Sequence, residues 1–283
     1  MVLKPVLAGT FKLDGGAMFG VVPRRIWEKL IPPDNQNLCT WALRCLYLET
    51  GHSRILIDTG LGNKQSDKFY SYYEPSGDVL ITDALIKQRI QPESISDIIL
   101  THLHFDHVGG ALARDQSGII YPLFPNATVW VMREHWQYAL QPNAREKASF
   151  LTENINPLQA LGILRFLDES EFTGLEFIKV DGHTRAMALP LIHVAPGKKL
   201  LFSADLFPSV HHLPLPYIMA YDMQPLITLK EKEDVLNRCL LENIALFFEH
   251  DVDHEVAILK KNESGKAVAD ATCTLNEWLS KTQ

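Results

Sequence analysis

The chain has 283 residues, with 27 basic and 34 acidic side chains and a net charge of −7. That balance gives no general electrostatic reason to bind polyanions, and no Lys/Arg run marks a basic patch, so a nucleic-acid partner is not expected. Hydrophobic residues make up 46%, enough for a sizeable core, while no window approaches the roughly 18 apolar residues of a membrane span.

The N-terminal MVLKPVLAGTFKLDGG is broken by Lys4 and Pro5 and does not read as a signal peptide. Cys39, Cys45, Cys239 and Cys273 lack CxxC spacing. They read as packed, reduced thiols, which makes the cytoplasm the expected compartment. In chain order, buried strands are expected at 43–49, 54–58, 97–100, 128–132, 177–180, 199–205 and 245–250. Helices are expected at 81–90, 133–140 and 228–244, the last long and amphipathic. Strands mixed with helices imply an α/β layered fold. Without a repeat or linker, residues 1–283 read as a single domain. Two stretches, 61–78 and 206–225, read as ordered irregular loops, the second because of its prolines.

Metal-capable side chains recur where the apolar strands end. RILID ends in Asp58; DIIL runs into His102, His104, Asp106 and His107; FIKV leads to Asp181 and His183; KLLFSAD ends in Asp205 and ALFFEH in His250. An α/β scaffold assembles sites at the C-terminal ends of its strands. In an extended segment His102 and His104 point the same way, and Gly109 and Gly110 permit a tight turn behind them. Imidazole and carboxylate together suit zinc, iron, manganese or cobalt.

Each residue also has a plainer reading. His183 could be a turn residue, Asp205 a helix N-cap, and Asp58 a turn-former before Gly60. His250 closes an apolar run, whereas its rival His254 lies in the charged stretch DVDHE. His52, His135 and His193 read as structural or surface residues. The tyrosines of 61–78 either pack their loop or form a lid.

THLHFDHVGG (101–110) resembles the HxHxDH motif of the metallo-β-lactamase-fold hydrolases. IDTG (57–60), GHT (182–184), SAD (203–205) and His250 follow in that family's order. The resemblance implies an αββα sandwich, two mixed β-sheets flanked by helices, with two metal ions in a cleft between the sheet edges. It places His102, His104 and His183 on the first ion, and Asp106, His107 and His250 on the second. Asp205 would bridge the ions and Asp58 would orient a ligand imidazole. The reaction implied is hydrolysis by a metal-bridging hydroxide, with Asp205 and Asp106 catalytic and either Asp106 or a metal-bound water returning a proton to the leaving group.

The segments 124–136, 211–225 and 246–251 look like the branch of quorum-quenching acyl-homoserine lactonases, with organophosphate hydrolases a looser match. An ester or lactone substrate is therefore expected, with a homodimer plausible by analogy. The expected cofactors are two divalent ions, zinc foremost. A tyrosine found in some lactonases three residues past the bridging aspartate is Pro208 here, which leaves His212, Tyr217 and Tyr221 as possible substrate contacts. Arg185 and Ala186 replace a common Pro-Gly pair after the GHT motif. The alternatives are a glyoxalase II-type thioesterase, a phosphotriesterase, and a metal-binding signalling protein without turnover.

Overall fold

The computed structural model describes residues 1–78 and 80–281. Its chain forms two compact units. The first comprises residues 1–11, 42–173 and 186–188; the second comprises 12–41, 174–185 and 189–283. The backbone therefore passes from one unit to the other five times.

The sheet of the first unit has strand order β1-β2-β3-β4-β7-β8. Its strands are β1 (Val2–Asp14), β2 (Leu38–Glu49), β3 (Arg54–Ile57), β4 (Asp97–Ile99), β7 (Thr128–Val131) and β8 (Leu164–Phe166), with β5 (Leu112–Arg114) and β6 (Ile120–Pro122) forming a separate hairpin. β2 and β3 are antiparallel, and β3, β4, β7 and β8 run parallel. Parallel pairing brings Ile57 opposite Ile99, so Asp58 and the stretch leading to His102 leave the sheet at the same end.

The second unit carries β9 (Leu175–Val180), β10 (Met187–Ala195), β11 (Lys198–Phe202), β12 (Ile244–Phe247), β13 (Val256–Lys261) and β14 (Ala267–Cys273), in the order β14-β13-β12-β11-β10-β9. Here β11 and β12 are parallel, with Phe202 opposite Phe247. Asp205 and His250 each lie three positions beyond that pair. The equal offset delivers both side chains to one sheet end. Helix Pro225–Glu242 packs on β12, β13 and β14, burying a stripe of Thr228, Lys232, Val235, Leu236 and Cys239. Both sheets are mixed and accompanied by helices, as expected for the α/β class.

Several elements depart from the expectation. β1 runs unbroken through Pro5 and through Gly9 at φ +100°; it is an edge strand, where a missing donor is tolerated. β10 contains Pro190 and had the same disguise. The 61–78 stretch is not wholly irregular: Asp67–Tyr73 is a helix, N-capped by the Ser66 side chain and closed by Glu74 in the left-handed region. The 81–90 helix stops at Lys87, because Arg89 turns to φ 62°. The long helix starts earlier, with Pro225 in its first turn, and ends at left-handed Asn243. No described helix is long and apolar enough to cross a membrane.

Two loops of the first unit meet with their backbones in close approach. A Cβ on Gly109 would run into the Leu61 carbonyl, and one on Gly110 into that of Thr59. Replacing either glycine with alanine should cost about 1–3 kcal/mol in urea unfolding. Gly51→Ala, where a Cβ meets nothing within 4 Å, should change stability by less than about 0.5 kcal/mol.

Candidate metal centre

In the first unit the donor set is built around Asp58. This residue is fully buried and sits at φ 56°, a conformation that the aspartate side chain tolerates. Its Oδ1 accepts the Thr101 backbone N–H at 2.8 Å, and its Oδ2 accepts the Thr101 hydroxyl at 2.7 Å and His107 Nδ1 at 3.0 Å. Thr101 Oγ1 lies 3.0 Å from His102 Nδ1 and accepts its proton. With the proton held on Nδ1, the lone pairs of His102 and His107 are on Nε2.

His104 uses the opposite nitrogen. Its Nε2 donates to Glu146 Oε1 at 2.8 Å, which places the lone pair on Nδ1. Glu146 is buried and its other oxygen accepts the Tyr138 hydroxyl. His102 Nε2 and His104 Nδ1 lie 3.0 Å apart. Two ring nitrogens converging in this way are suited to sharing one cation. Asp106 follows on the short helix Phe105–Val108, with its Oδ2 3.7 Å from His107 Nε2.

Buried Lys64 closes the back of this loop by donating to the carbonyls of Gly109 and, at 2.6 Å, Leu112. Burial pulls its ammonium down to about 7, with Glu153 opposing and Arg114 adding to the shift.

In the second unit one carboxylate spans two imidazoles. Asp205 Oδ2 is 3.1 Å from His183 Nε2, and Oδ1 is 3.0 Å from His250 Nε2. All three residues are buried. His183 Nδ1 contacts Asp222 Oδ1 at 2.8 Å, which fixes the ring. Burial disfavours the His183 cation, but Asp205 and Asp222 outweigh it and raise its pKa to about 10. Such a site has a strong preference for positive charge. Glu231 accepts the backbone N–H groups of Asp181 and Gly182 just before this histidine.

His254 is partly exposed and pairs with Asp251 at 3.1 Å; His250 is the histidine that meets Asp205. His135 is a buried structural residue whose Nε2 accepts the Leu103 N–H at 2.8 Å. His193 is exposed, 3.9 Å from Glu176.

Of the possible substrate contacts, His212 is buried. Its Nε2 donates to the Met18 carbonyl at 3.0 Å, its Nδ1 lies 2.8 Å from Ser209 Oγ, and its ring stacks on Phe19 at 4.8 Å. Burial is the main reason its pKa falls to about 3. Tyr217 is half-buried and Tyr221 exposed. Thr101, Glu146 and Asp222 escaped the sequence reading. Thr101 directly precedes the motif, but Glu146 lies in a charged stretch that reads as solvated and Asp222 in a loop without a pattern.

The metallo-beta-lactamase superfamily model matches residues 44–243, and the chain belongs to that superfamily. It is a metal-dependent hydrolase by that membership and by the buried His/Asp donors of each unit. An N-acyl homoserine lactonase from Bacillus sp is 25% identical over 238 residues, covering 80% of this chain and 86% of the relative. A probable metal-dependent hydrolase from Staphylococcus aureus is 27% identical with a TM-score of 0.85, covering 96% of this chain and 95% of that one. AidC, a dizinc quorum-quenching lactonase in complex with its product, shares the fold at a TM-score of 0.76 and 20% identity, over 96% and 95% of the two chains.

The donor set fits divalent ions: His102, His104, His107 and His183 each have one ring nitrogen committed to a buried hydrogen-bond partner. Such partners fix tautomer and ring orientation. Glu146→Ala and Asp222→Ala should therefore each weaken metal binding about 10- to 100-fold in chelator competition, while His193→Ala leaves it unchanged. Lys64 generates a second expectation. An unfolded lysine titrates near 10.4, so between pH about 7 and that value the unfolded chain holds more protons at this position than the native one. Its contribution to stability therefore rises with pH across that window. The stability difference between wild type and Lys64→Met, measured by urea unfolding, should grow in favour of wild type from pH 7 to pH 9.

Proposed function

We propose that this protein is a binuclear metal-dependent hydrolase of lactones or esters, with acyl-homoserine lactones the leading candidates, and that residues 1–283 act as a single hydrolase domain. The observation that carries the binuclear reading is the Asp205 carboxylate, one oxygen facing His183 and the other facing His250. A carboxylate extended towards two imidazoles in this way suits a bridging ligand. His102, His104 and His183 would hold the first ion and Asp106, His107 and His250 the second, with Asp205 common to both. The ions would supply Lewis acidity and lower the pKa of bound water to about 7. Zinc suits these donors, and AidC is described as a dizinc enzyme.

The chain's own residues divide the remaining work. Asp58 and Thr101 hold the His102 and His107 rings, Glu146 holds His104, and Asp222 holds His183. Asp106, on the turn beside His107, would take the proton released by the attacking water and pass it to the leaving alkoxide. Tyr217 and Tyr221 are the proposed contacts for the acyl side of the substrate. The lactone reading is supported by the lactonase relatives, which align along most of their length. A cytoplasmic setting accords with the free thiols of Cys39, Cys45, Cys239 and Cys273.

Elemental analysis should find about two divalent ions per chain. A panel of acyl-homoserine lactones, aryl esters, S-acylglutathione and aryl phosphotriesters should show fastest turnover on a lactone or ester, and Asp205→Ala should abolish it. Full activity after verified metal removal would sink the reading, and preference for the thioester or phosphotriester would reassign the substrate.

A further inference from the structure

Lys232 breaks the pattern of the helix that carries it. It lies within the buried stripe Thr228, Lys232, Val235, Leu236, Cys239, where an amphipathic helix places apolar residues, and it has no solvent exposure. Its Nζ donates to two backbone carbonyls, Pro214 at 3.0 Å and Tyr217 at 2.7 Å. The ammonium also lies 5.5 Å from the ring centroid of buried Phe207. Among the described residues no carboxylate forms an ion pair with it, and Asp222 acts on it only at longer range. A lysine so placed is costly to bury, and a leucine or methionine would fill the stripe without that penalty.

The segment it grips is also held by the buried side chains of Leu213 and Met219 and by the edge contact of Tyr217 with the Phe19 ring at 6.3 Å. Pro214 and Pro216 donate no backbone N–H. The hydrogen bonds from Tyr217 to Pro214 and from Ile218 to Pro216 stay inside the segment. Ala220 reaches the Ala17 carbonyl at 2.7 Å, and Gly20 permits close backbone approach there, since a Cβ would strike the Ile218 carbonyl. Towards the helix the clamp is the lysine. The segment carries Tyr217 and Tyr221 and runs directly into Asp222, which holds His183.

We propose that Lys232 is a positioning residue that clamps residues 213–221 to the long helix and so sets how tightly the acyl side of the substrate is bound. The substrate half of this statement rests on the ester or lactone reading above. The clamp half rests only on the two carbonyl bonds and the Phe207 contact.

Lys232→Met removes the donors at similar bulk, and Lys232→Gln keeps two N–H donors on a shorter arm. In the metal-loaded Met variant, amide hydrogen exchange within 213–221 should rise about tenfold while β11 and β12 keep their protection. KM for the best substrate of the panel should rise about tenfold with kcat within about twofold and metal content unchanged. The Gln variant should lie between wild type and Met on both readouts, and it carries the test if the Met variant does not fold. Unchanged exchange in the segment overturns the clamp, and so does a uniform rise across the second unit. A parallel fall in kcat and metal content overturns the substrate-positioning role, because the lysine would then act through Asp222 on the donors. If wild type hydrolyses no lactone or ester, the substrate class fails, and the exchange experiment, which needs no substrate, decides the clamp alone.

Discussion

A neutral imidazole has one lone pair to offer, and its direction is set by where the ring's single proton is held. The donor chemistry of this protein depends on that constraint. Asp58, acting directly on His107 and through Thr101 on His102, fixes two rings by one carboxylate. Glu146 imposes the opposite tautomer on His104. That alternation leaves the lone pairs on Nε2 of one ring and Nδ1 of the next, the two nitrogens that lie 3.0 Å apart. Without the buried acceptors, each ring would rotate and exchange tautomers, and a cation would have to order them on binding.

The secondary structure serves this constraint by geometry. Parallel pairing makes equal sequence offsets into equal distances from the sheet end: Phe202 opposite Phe247 delivers Asp205 and His250 together, and Ile57 opposite Ile99 brings Asp58 to the loop of His102. Glycine completes the arrangement in the first unit, where Gly109 and Gly110 allow the motif's exit to lie directly against the backbone of 59–61. Buried lysines secure both loop systems, Lys64 on the carbonyls of Gly109 and Leu112, and Lys232 on those of Pro214 and Tyr217.

The sequence made the donors legible because metal chemistry restricts residue type. The proposed ligands at positions 102, 104, 106, 107, 183, 205 and 250 are of the few side-chain types that can take that role, and apolar strands lead into most of them. The supporting acceptors were not legible, since a buried Glu146 and a solvated one look alike in sequence. Their roles are set by tertiary contacts such as the Tyr138 hydroxyl. β11, β12 and the helix at Arg133–Leu140 followed from periodicity. β1 and β10 did not, because Pro5 and Pro190 read as breakers, although β1 is an edge strand and β10 lies between β9 and β11. Lys232 was equally hidden. It stands among charged neighbours, and neither its burial nor the carbonyls it satisfies is marked in the sequence.

The five chain crossings between the units have a consequence for biosynthesis. The first unit needs residues 186–188 as well as its N-terminal strand segment, and the second begins at residue 12 but includes β14 and the helix at Leu275–Ser280. Neither is a contiguous fragment that a ribosome releases whole. The first sheet can pair in chain order from β1 to β8, whereas β11 in the second must wait for β12 beyond the long helix, and long-range pairing of that kind slows folding and prolongs exposure to aggregation. Cutting the chain at any single point therefore cannot separate one unit from the other.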